Sequence, residues 1–591
     1  MERRTFLKTA ANASLFASGL GRAQQAGRSA RPNVILILTD DQGYGDLSGH
    51  GNPVLKTPSM DKLRSESVRL TDFHVMPMCT PTRGQLMTGR HCMRTAAMNV
   101  SSGRTLLRTD VPTMAEVFAG SGYSTGIFGK WHLGDAYPYR PEDRGFQEAV
   151  WFPSSHVGST PDYWNNDYFN DTYHHNGKRQ RFDGYCTDVF FGQAMNWIRE
   201  QAKAKKPFFV YLPTNAPHGP LNVPDEWKKP YAAQAANIAS FFGMIANIDH
   251  NLAQLEKMLQ DGGLRDNTVL IFMTDNGTAT AAKVYNSGMR GMKITLWDGG
   301  HRVPFFIRWP QGKVGGGKDI DELTIVQDVL PTLIDLCGLK KKPPGLEGVS
   351  LAGLIQGTKT QLPDRMAVIQ FSRMDKPRPV KGDAAVLWKK WRLVSDTELH
   401  DISKDPGQEK NVIDQNAEVA AKMRAHYDAW WKAVEPTLDT FQPVHIGSDK
   451  ENPVLLSPTE WADVFLDQGG QIRAGIRRNG QWHVMVEQDG TYEFELRRWA
   501  READAPMRAP LPAHKGEWGQ TREGVALPVH KAELRVGEKR VSLPVGSEDR
   551  KTVFKLPLTK GRKTMQTWFY DDSGKEICGA YYAYVERKAR G

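Results

Sequence analysis

Asn33-Val34-Ile35-Leu36-Ile37-Leu38-Thr39 runs without interruption into the acidic pair Asp40-Asp41. A continuous aliphatic run of this kind reads as a strand buried on both faces, the pattern of a sheet held between helices. Runs of the same character recur at residues 207–212 (PFFVYL), 268–274 (TVLIFMT) and 303–309 (VPFFIRW). Helical patterns lie between them, the clearest over residues 232–259, closed by Asp261-Gly262-Gly263. Strands alternating with helices predict an α/β domain with a large sheet sandwiched between helices. In such sheets ligands sit beyond the carboxyl ends of the strands. Asp40-Asp41 and Asp275-Asn276 both fall there, so this edge is where chemistry is expected.

A length of 591 residues predicts two or three domains, and 40% hydrophobic with 24% charged residues allows sizeable cores. No apolar stretch is long enough to span a bilayer. Half of the net charge of +10 comes from residues 1–31, which carry six basic groups against Glu2. The rest mildly favours anionic ligands, and no polybasic run points to nucleic acid. Glu2-Arg3-Arg4-Thr5-Phe6-Leu7-Lys8 resembles the twin-arginine export signal, followed by a weakly apolar stretch and Ala23 as a cleavage site. Residues 1–30 are therefore expected to be a signal peptide handled by the twin-arginine machinery, giving a bacterial periplasmic or secreted protein; the alternative is an ordinary amphipathic segment. Five cysteines without C-x-x-C spacing exclude a disulfide scaffold and a zinc ribbon.

Five further segments carry chemical information. Cys79-Thr80-Pro81-Thr82-Arg83-Gly84, with Thr88-Gly89-Arg90 behind it, has the form C-x-P-x-R. Gly129-Lys130-Trp131-His132-Leu133-Gly134 places a lysine and a histidine two apart, on the same side of an extended chain. His218 follows a buried run in Ala216-Pro217-His218-Gly219-Pro220. Phe272-Met273-Thr274-Asp275-Asn276-Gly277 ends another, and Arg290-Gly291-Met292-Lys293 leads to Trp297-Asp298-Gly299-Gly300. Two adjacent carboxylates at a strand end repel each other unless a cation lies between them, although one could instead cap a helix; an isolated D-N-G is otherwise a turn. Hard oxygen ligands without a Cys or His ligand pattern suggest calcium, with magnesium the competitor.

In this order the segments resemble type I sulfatases, across residues 31 to about 436. The resemblance implies that a formylglycine-generating maturation enzyme converts Cys79 to formylglycine. It implies a cation held by Asp40, Asp41, Asp275, Asn276 and the modified Cys79. It further implies attack on sulfur by the hydrated aldehyde, with Lys130 and Lys293 on the sulfate oxygens and Arg83 holding the modified residue. His218 is then the group facing the leaving alcohol, and His132 assists expulsion of sulfate. Where many relatives have glycine after Met292-Lys293 this chain has Ile294, and His301 follows Gly299-Gly300; both bear on the substrate side. The fold implied is alkaline-phosphatase-like.

The expected division is a catalytic domain over residues 31–345, a small α+β subdomain over 346–436 and a β-rich accessory domain over 445–591. In the last, alternating runs separated by Gly, Pro and Asp read as a β-sandwich, with Asn479-Gly480 and Asp489-Gly490 as hairpin turns. Its aromatic residues read as core or as a sugar-stacking face. Residues 151–185, with His156, Trp164, Tyr168, Tyr173, His174 and His175, exceed what a connection requires. They read equally as a sugar-binding wall or as a surface packed on the accessory domain; His156, Trp164, His174, His175 and His301 are the substrate-side candidates. The expected activity is hydrolysis of a sulfate monoester of a carbohydrate. The alternatives are a formylglycine-dependent phosphonate or phosphodiester hydrolase and an inactive sulfated-glycan binding protein. The latter does not need a nucleophile and should have lost some of Cys79, Lys130, His132 or His218, all of which this chain retains.

Overall fold

A computed structural model describes residues 31–588; the export-signal reading of residues 1–30 lies outside them. Its centre is a ten-stranded mixed sheet. In chain order the strands are β1 (Asn33–Thr39), β2 (Val68–Leu70), β3 (Ser124–Lys130), β4 (Glu148–Phe152), β5 (Thr172–His175), β6 (Lys178–Arg181), β7 (Phe208–Pro213), β8 (Thr268–Thr274), β9 (Phe305–Arg308) and β10 (Asp319–Ile320). Their spatial order is β10-β2-β9-β8-β1-β7-β3-β4-β5-β6. The run 303–309 is thus β9, paired antiparallel to β8, whereas β8, β1, β7, β3 and β4 are mutually parallel.

The alternation of side chains along β1 builds both layers. Val34, Leu36 and Leu38 face one core with residues of helix α1 (Cys79–Thr88) and of α4 (Val329–Cys337). Ile35 and Ile37 face the opposite core with α2 (Cys186–Lys203) and α3 (Ala236–Asp261). Burial on both faces is why the strand carries no polar alternation. Register then sets the catalytic edge: Thr39 lies beside Thr274, so Asp40 and Asp275 leave the sheet side by side.

Beyond this layer a four-stranded antiparallel sheet (Ala367–Ile369, Ala385–Trp388, Trp391–Val394, Glu398–Asp401) packs under helix α5 (Ala417–Val434). The C-terminal part is two facing sheets around a core that includes Trp482, Phe494, Trp499, Tyr581 and Tyr582. The hairpin expected at Asp489-Gly490 does not form. Gln481–Val486 and Gly490–Arg497 belong to opposite sheets, so this turn passes the chain across the sandwich. Asn479-Gly480 likewise leads into a strand from a helical turn, Gly469–Arg473, and not from a paired strand. Turn residues mark a reversal of the chain; which strand receives it is set by the facing apolar surfaces.

Candidate active site

The parallel strands deliver their carboxyl-end residues to one place. Asp40 and Asp41 follow β1, Lys130 ends β3, His218 follows β7, and Asp275 and Asn276 follow β8. Cys79 is the first residue of α1, a helix buried along its whole length, so its side chain sits where the helix leaves backbone N–H groups unpaired. Gly129 precedes Lys130 at φ +128°, packed so tightly on the Pro213 carbonyl that no side chain fits. That close approach sets β3 against the end of β7.

Three carboxylates meet three cations. Lys130 Nζ lies 2.5 Å from Asp40 Oδ2, with both side chains fully buried. Lys293 Nζ lies 2.6 Å from Asp41 Oδ1. Arg83 donates to Asp275 Oδ2 from Nη2 at 2.8 Å and from Nε at 3.2 Å, and its Nη1 donates to the Lys130 carbonyl at 3.1 Å. Asn276 donates from Nδ2 to Asp41 Oδ1 at 2.9 Å. Burial alone would raise the Asp41 carboxyl, but Lys293 and His218 hold it well below the usual carboxylate range. Asp275 behaves oppositely: burial, reinforced by the Asp40 charge, pushes it up to about 6 against the pull of Arg83 and Lys130. Burial also raises the Cys79 thiol despite Lys130 and Lys293, so the unmodified side chain stays protonated and weakly nucleophilic.

The donor set fits a hard divalent cation. Atoms of Asp40, Cys79 and Asp275 able to ligate a metal lie within 4.8 Å of one another. Asp40 Oδ1 and Asn276 Oδ1 are buried without a hydrogen-bond partner, a costly arrangement that an oxygen-seeking ion relieves.

The two histidines occupy different states. His132 gives Nε2–H to the Val100 carbonyl at 3.0 Å, which leaves Nδ1 buried and without a partner. His218 gives Nδ1–H to the Gly219 carbonyl at 2.6 Å, and its Nε2 lies 3.7 Å from Asp41 Oδ2. Burial pulls His218 down to about 4, with Asp41 opposing and Lys293 and Lys130 assisting. His218 is therefore neutral at rest, with the Nε2 lone pair open.

The substrate-side candidates separate. His156 is buried, its ring stacked on His218 with centroids 5.5 Å apart. Trp164 packs on Trp499 and under Arg473 of the β-rich region. His174 stacks on Trp151, and His175 pairs with Glu148, at the outer strands of the sheet. His301 is fully buried, its Nδ1 2.9 Å from Nδ1 of His74 and its Nε2 3.0 Å from the Leu296 carbonyl. Of these five, only His156 contacts the central group. Ser155 and Asp467 carried no sequence signal: Ser155 Oγ lies 2.8 Å from His156 Nδ1 and donates to Asp467 Oδ2 at 2.9 Å, across 312 positions of sequence.

This strand-end group of acids, amide and cations around Cys79, on a sheet flanked by helices, is the arrangement of sulfatases of the alkaline-phosphatase-like fold. The Sulfatase family profile matches residues 32–339, and one described as N-sulphoglucosamine sulphohydrolase, C-terminal, matches residues 292–430. The chain belongs to the sulfatase family and is a sulfuric ester hydrolase. It is 29% identical to the N-acetylgalactosamine-6-sulfatase of Canis lupus familiaris over 379 residues, 59% of this chain and 70% of that protein. It is 29% identical to the arylsulfatase of Klebsiella aerogenes, over 58% of this chain and 96% of the relative. An ulvan-active sulfatase of Formosa agariphila is 27% identical, over 66% and 78%. Among solved structures, Ps i-CgsB in complex with k-i-k-neocarrahexaose superposes with a TM-score of 0.61 at 28% identity, over 68% of this chain and 92% of that one.

Proposed function

We propose that the protein is an exported sulfatase that releases inorganic sulfate from a sulfated carbohydrate, using a formylglycine made from Cys79. The observation that carries the reading is the buried meeting of Cys79 with Asp40, Asp275, Lys130 and Lys293 at the head of α1. The carbohydrate preference is supported by relatives named for N-acetylgalactosamine 6-sulfate and ulvan, and by a structural neighbour holding a neocarrahexaose. Export rests on the twin-arginine-like residues Arg3 and Arg4; among the described residues no helix is long and apolar enough to cross a membrane. The chain divides into a catalytic domain over 31–345, a subdomain over 346–436 and a β-rich accessory domain over 445–591.

Asp40, Asp41, Asp275 and Asn276, with an oxygen of the modified Cys79, would hold calcium, or magnesium in its place. When bound, the cation supplies positive charge that favours the ionised nucleophile. The residues of the chain do the rest. One hydroxyl of the hydrated Cys79 aldehyde gives its proton to Asp275 and attacks sulfur, and the bond from sulfur to the sugar oxygen breaks, while Lys130 and Lys293 face the sulfate oxygens. Arg83, locked to Asp275 and to the Lys130 carbonyl, keeps the strand end and helix head in register. His218 faces the leaving oxygen; since its Nδ1–H is committed to Gly219, only a proton taken at Nε2 lets it act as an acid. The open Nδ1 of His132 accepts the proton of the second hydroxyl as sulfate is expelled and the aldehyde re-forms.

The test is sulfate release by protein co-expressed with a formylglycine-generating enzyme, its Cys79 conversion verified by peptide mass. Sulfated oligosaccharides, 4-nitrophenyl sulfate and a phosphonate ester form the panel. Release from sulfate esters that vanishes in Cys79→Ala supports the reading. Full activity of that variant, or turnover of the phosphonate alone, refutes it.

A further inference from the structure

A cavity of about 420 Å³, within the range of small-ligand sites, reaches the central group through His218. His156 and His218 form its floor, and His218 is also the residue 3.7 Å from Asp41. The cavity therefore opens from the reacting centre on the side of the leaving group. Its far wall comes from the β-rich C-terminal region: Gln468 in one turn, and His514 and Gln520 in a loop closed by pairing of Leu511 with Gly524 and of Lys515 with Gln520. Nothing in the sulfatase profiles reaches this region, since their matches end at residue 430.

The wall is fixed, not merely adjacent. Asp467 is buried, accepts from Ser155 at 2.9 Å and offers its carbonyl to the Thr160 N–H at 2.7 Å. The same Ser155 hydroxyl touches His156, which stacks on His218. At the other corner Gly519 lies so close to Asn222 that a Cβ there would stand 2.5 Å from Asn222 Oδ1. The ring of Trp518 meets Phe169 with centroids 5.6 Å apart. Both module segments are thus seated on the catalytic side at the rim of the cavity.

We infer that the C-terminal β-module is a working part of the active site: Gln468, Gln520 and His514 hydrogen-bond the hydroxyls of the sugar whose sulfate is removed. The module offers amides and the His514 imidazole, which lies 3.7 Å from Oδ2 of Asp167 on the opposite wall; amides and a carboxylate without fixed positive charge suit neutral sugar hydroxyls better than a second sulfate group. This rests on the sulfatase reading above. A small aryl sulfate has no sugar to present to the wall, so the two substrate types separate the roles.

Gln468 and Gln520 are both exposed at the rim, so the double variant Gln468→Ala/Gln520→Ala leaves the core packing intact. The measurement is kcat/KM for the sulfated saccharide that the wild type turns over best, divided by kcat/KM for 4-nitrophenyl sulfate. The ratio is expected to fall at least tenfold, with the loss carried mainly by KM, and His514→Ala is expected to lower it in the same direction. A ratio within twofold of wild type overturns the inference, whether both activities hold or both fall together. Turnover of the aryl sulfate with no saccharide accepted also overturns it. Failure of the fully converted wild type on every sulfate ester overturns instead the parent reading, and this one with it.

Discussion

The proposed role of Asp275 as a metal ligand makes cation affinity depend on pH. Burial and the neighbouring Asp40 charge hold its carboxyl at about 6 in the ion-free site, and a carboxylate must be ionised to ligate a metal. At pH 5 about one tenth of Asp275 is ionised and at pH 7 about nine tenths, so the apparent affinity rises about tenfold between them, or about 1.4 kcal/mol. Above pH 7 it should level off. His218 titrates near 4, and Lys293 is raised by its carboxylate partners, so neither enters this window. The sign for stability follows. A carboxyl whose folded pKa exceeds its unfolded value binds more protons when folded, so the metal-free protein loses stability as pH rises from about 4 through about 6. Two pKa units correspond to about 3 kcal/mol.

The assay is calorimetric calcium titration of chelator-treated Cys79→Ala protein, chosen so that ionisation of the nucleophile does not contribute. Paired buffers of different ionisation enthalpy count the protons released. Close to one proton should leave at pH 5 and almost none at pH 7.5. Arg83→Met removes the guanidinium 2.8 Å from Asp275 and should shift the window upward, lowering affinity at pH 7. An affinity constant across pH 5 to 7.5, with no proton release, refutes the argument.

Lys293→Ala should lower kcat on any sulfate ester by about 10²–10³, since it removes transition-state charge, and should also lower the melting temperature in chelator, because it leaves the buried Asp41 carboxylate without the ammonium 2.6 Å away; kcat within fivefold of wild type excludes the catalytic role. His218→Ala should cost an alkyl sulfate about 10²–10⁴ and 4-nitrophenyl sulfate much less, because a nitrophenolate departs without a proton. Equal losses on both substrates remove His218 from acid catalysis. Trp164→Ala should weaken docking of the C-terminal module by about 1–3 kcal/mol, read as earlier urea unfolding of that module, because its ring lies against Trp499 and Arg473. An unchanged unfolding profile contradicts the contact.

The catalytic edge was legible because strand burial and chemistry are written in the same short runs. The residues 33–41 specify a two-sided strand and the acids at its end, and the segments around Cys79, Lys130 and Asp275 repeat that coupling of buried structure to a polar terminus. Residues 151–185 were harder, because an aromatic residue in a loop is compatible with either a sugar-binding wall or a packed seam. In the structure Trp164 is part of the seam, whereas His156 lines a cavity. His301 sits near Lys293 in sequence, yet its side chain turns inward to His74. Asp467 was invisible, since its partner Ser155 lies 312 positions away and only the folded module brings them together. The Asp489-Gly490 turn shows the same limit, local geometry being encoded and partner choice not.

The charge pattern at the centre carries one more consequence. Without a cation, Asp40, Asp41 and Asp275 are paired in charge with Lys130, Lys293 and Arg83, so the group is electrically balanced although Asp40 Oδ1 keeps no hydrogen-bond partner. Balance is what makes so much buried charge tolerable, since an unpaired buried ion costs several kcal/mol. It also means that the lysines expected to meet sulfate are occupied by carboxylates. A dication held by those carboxylates would add net positive charge to the site, leaving Lys130 and Lys293 available to an anion. Cation and sulfate should therefore bind with positive coupling, and by linkage each should tighten the other equally. Inorganic sulfate should inhibit, or bind Cys79→Ala protein, at least about tenfold more tightly with saturating calcium than in chelator, a coupling of about 1.4 kcal/mol. Calcium affinity measured with and without sulfate should close the same thermodynamic square. Equal sulfate affinity in both states would show that Lys130 and Lys293 do not exchange carboxylate for sulfate, and the anion site would then lie elsewhere on this edge.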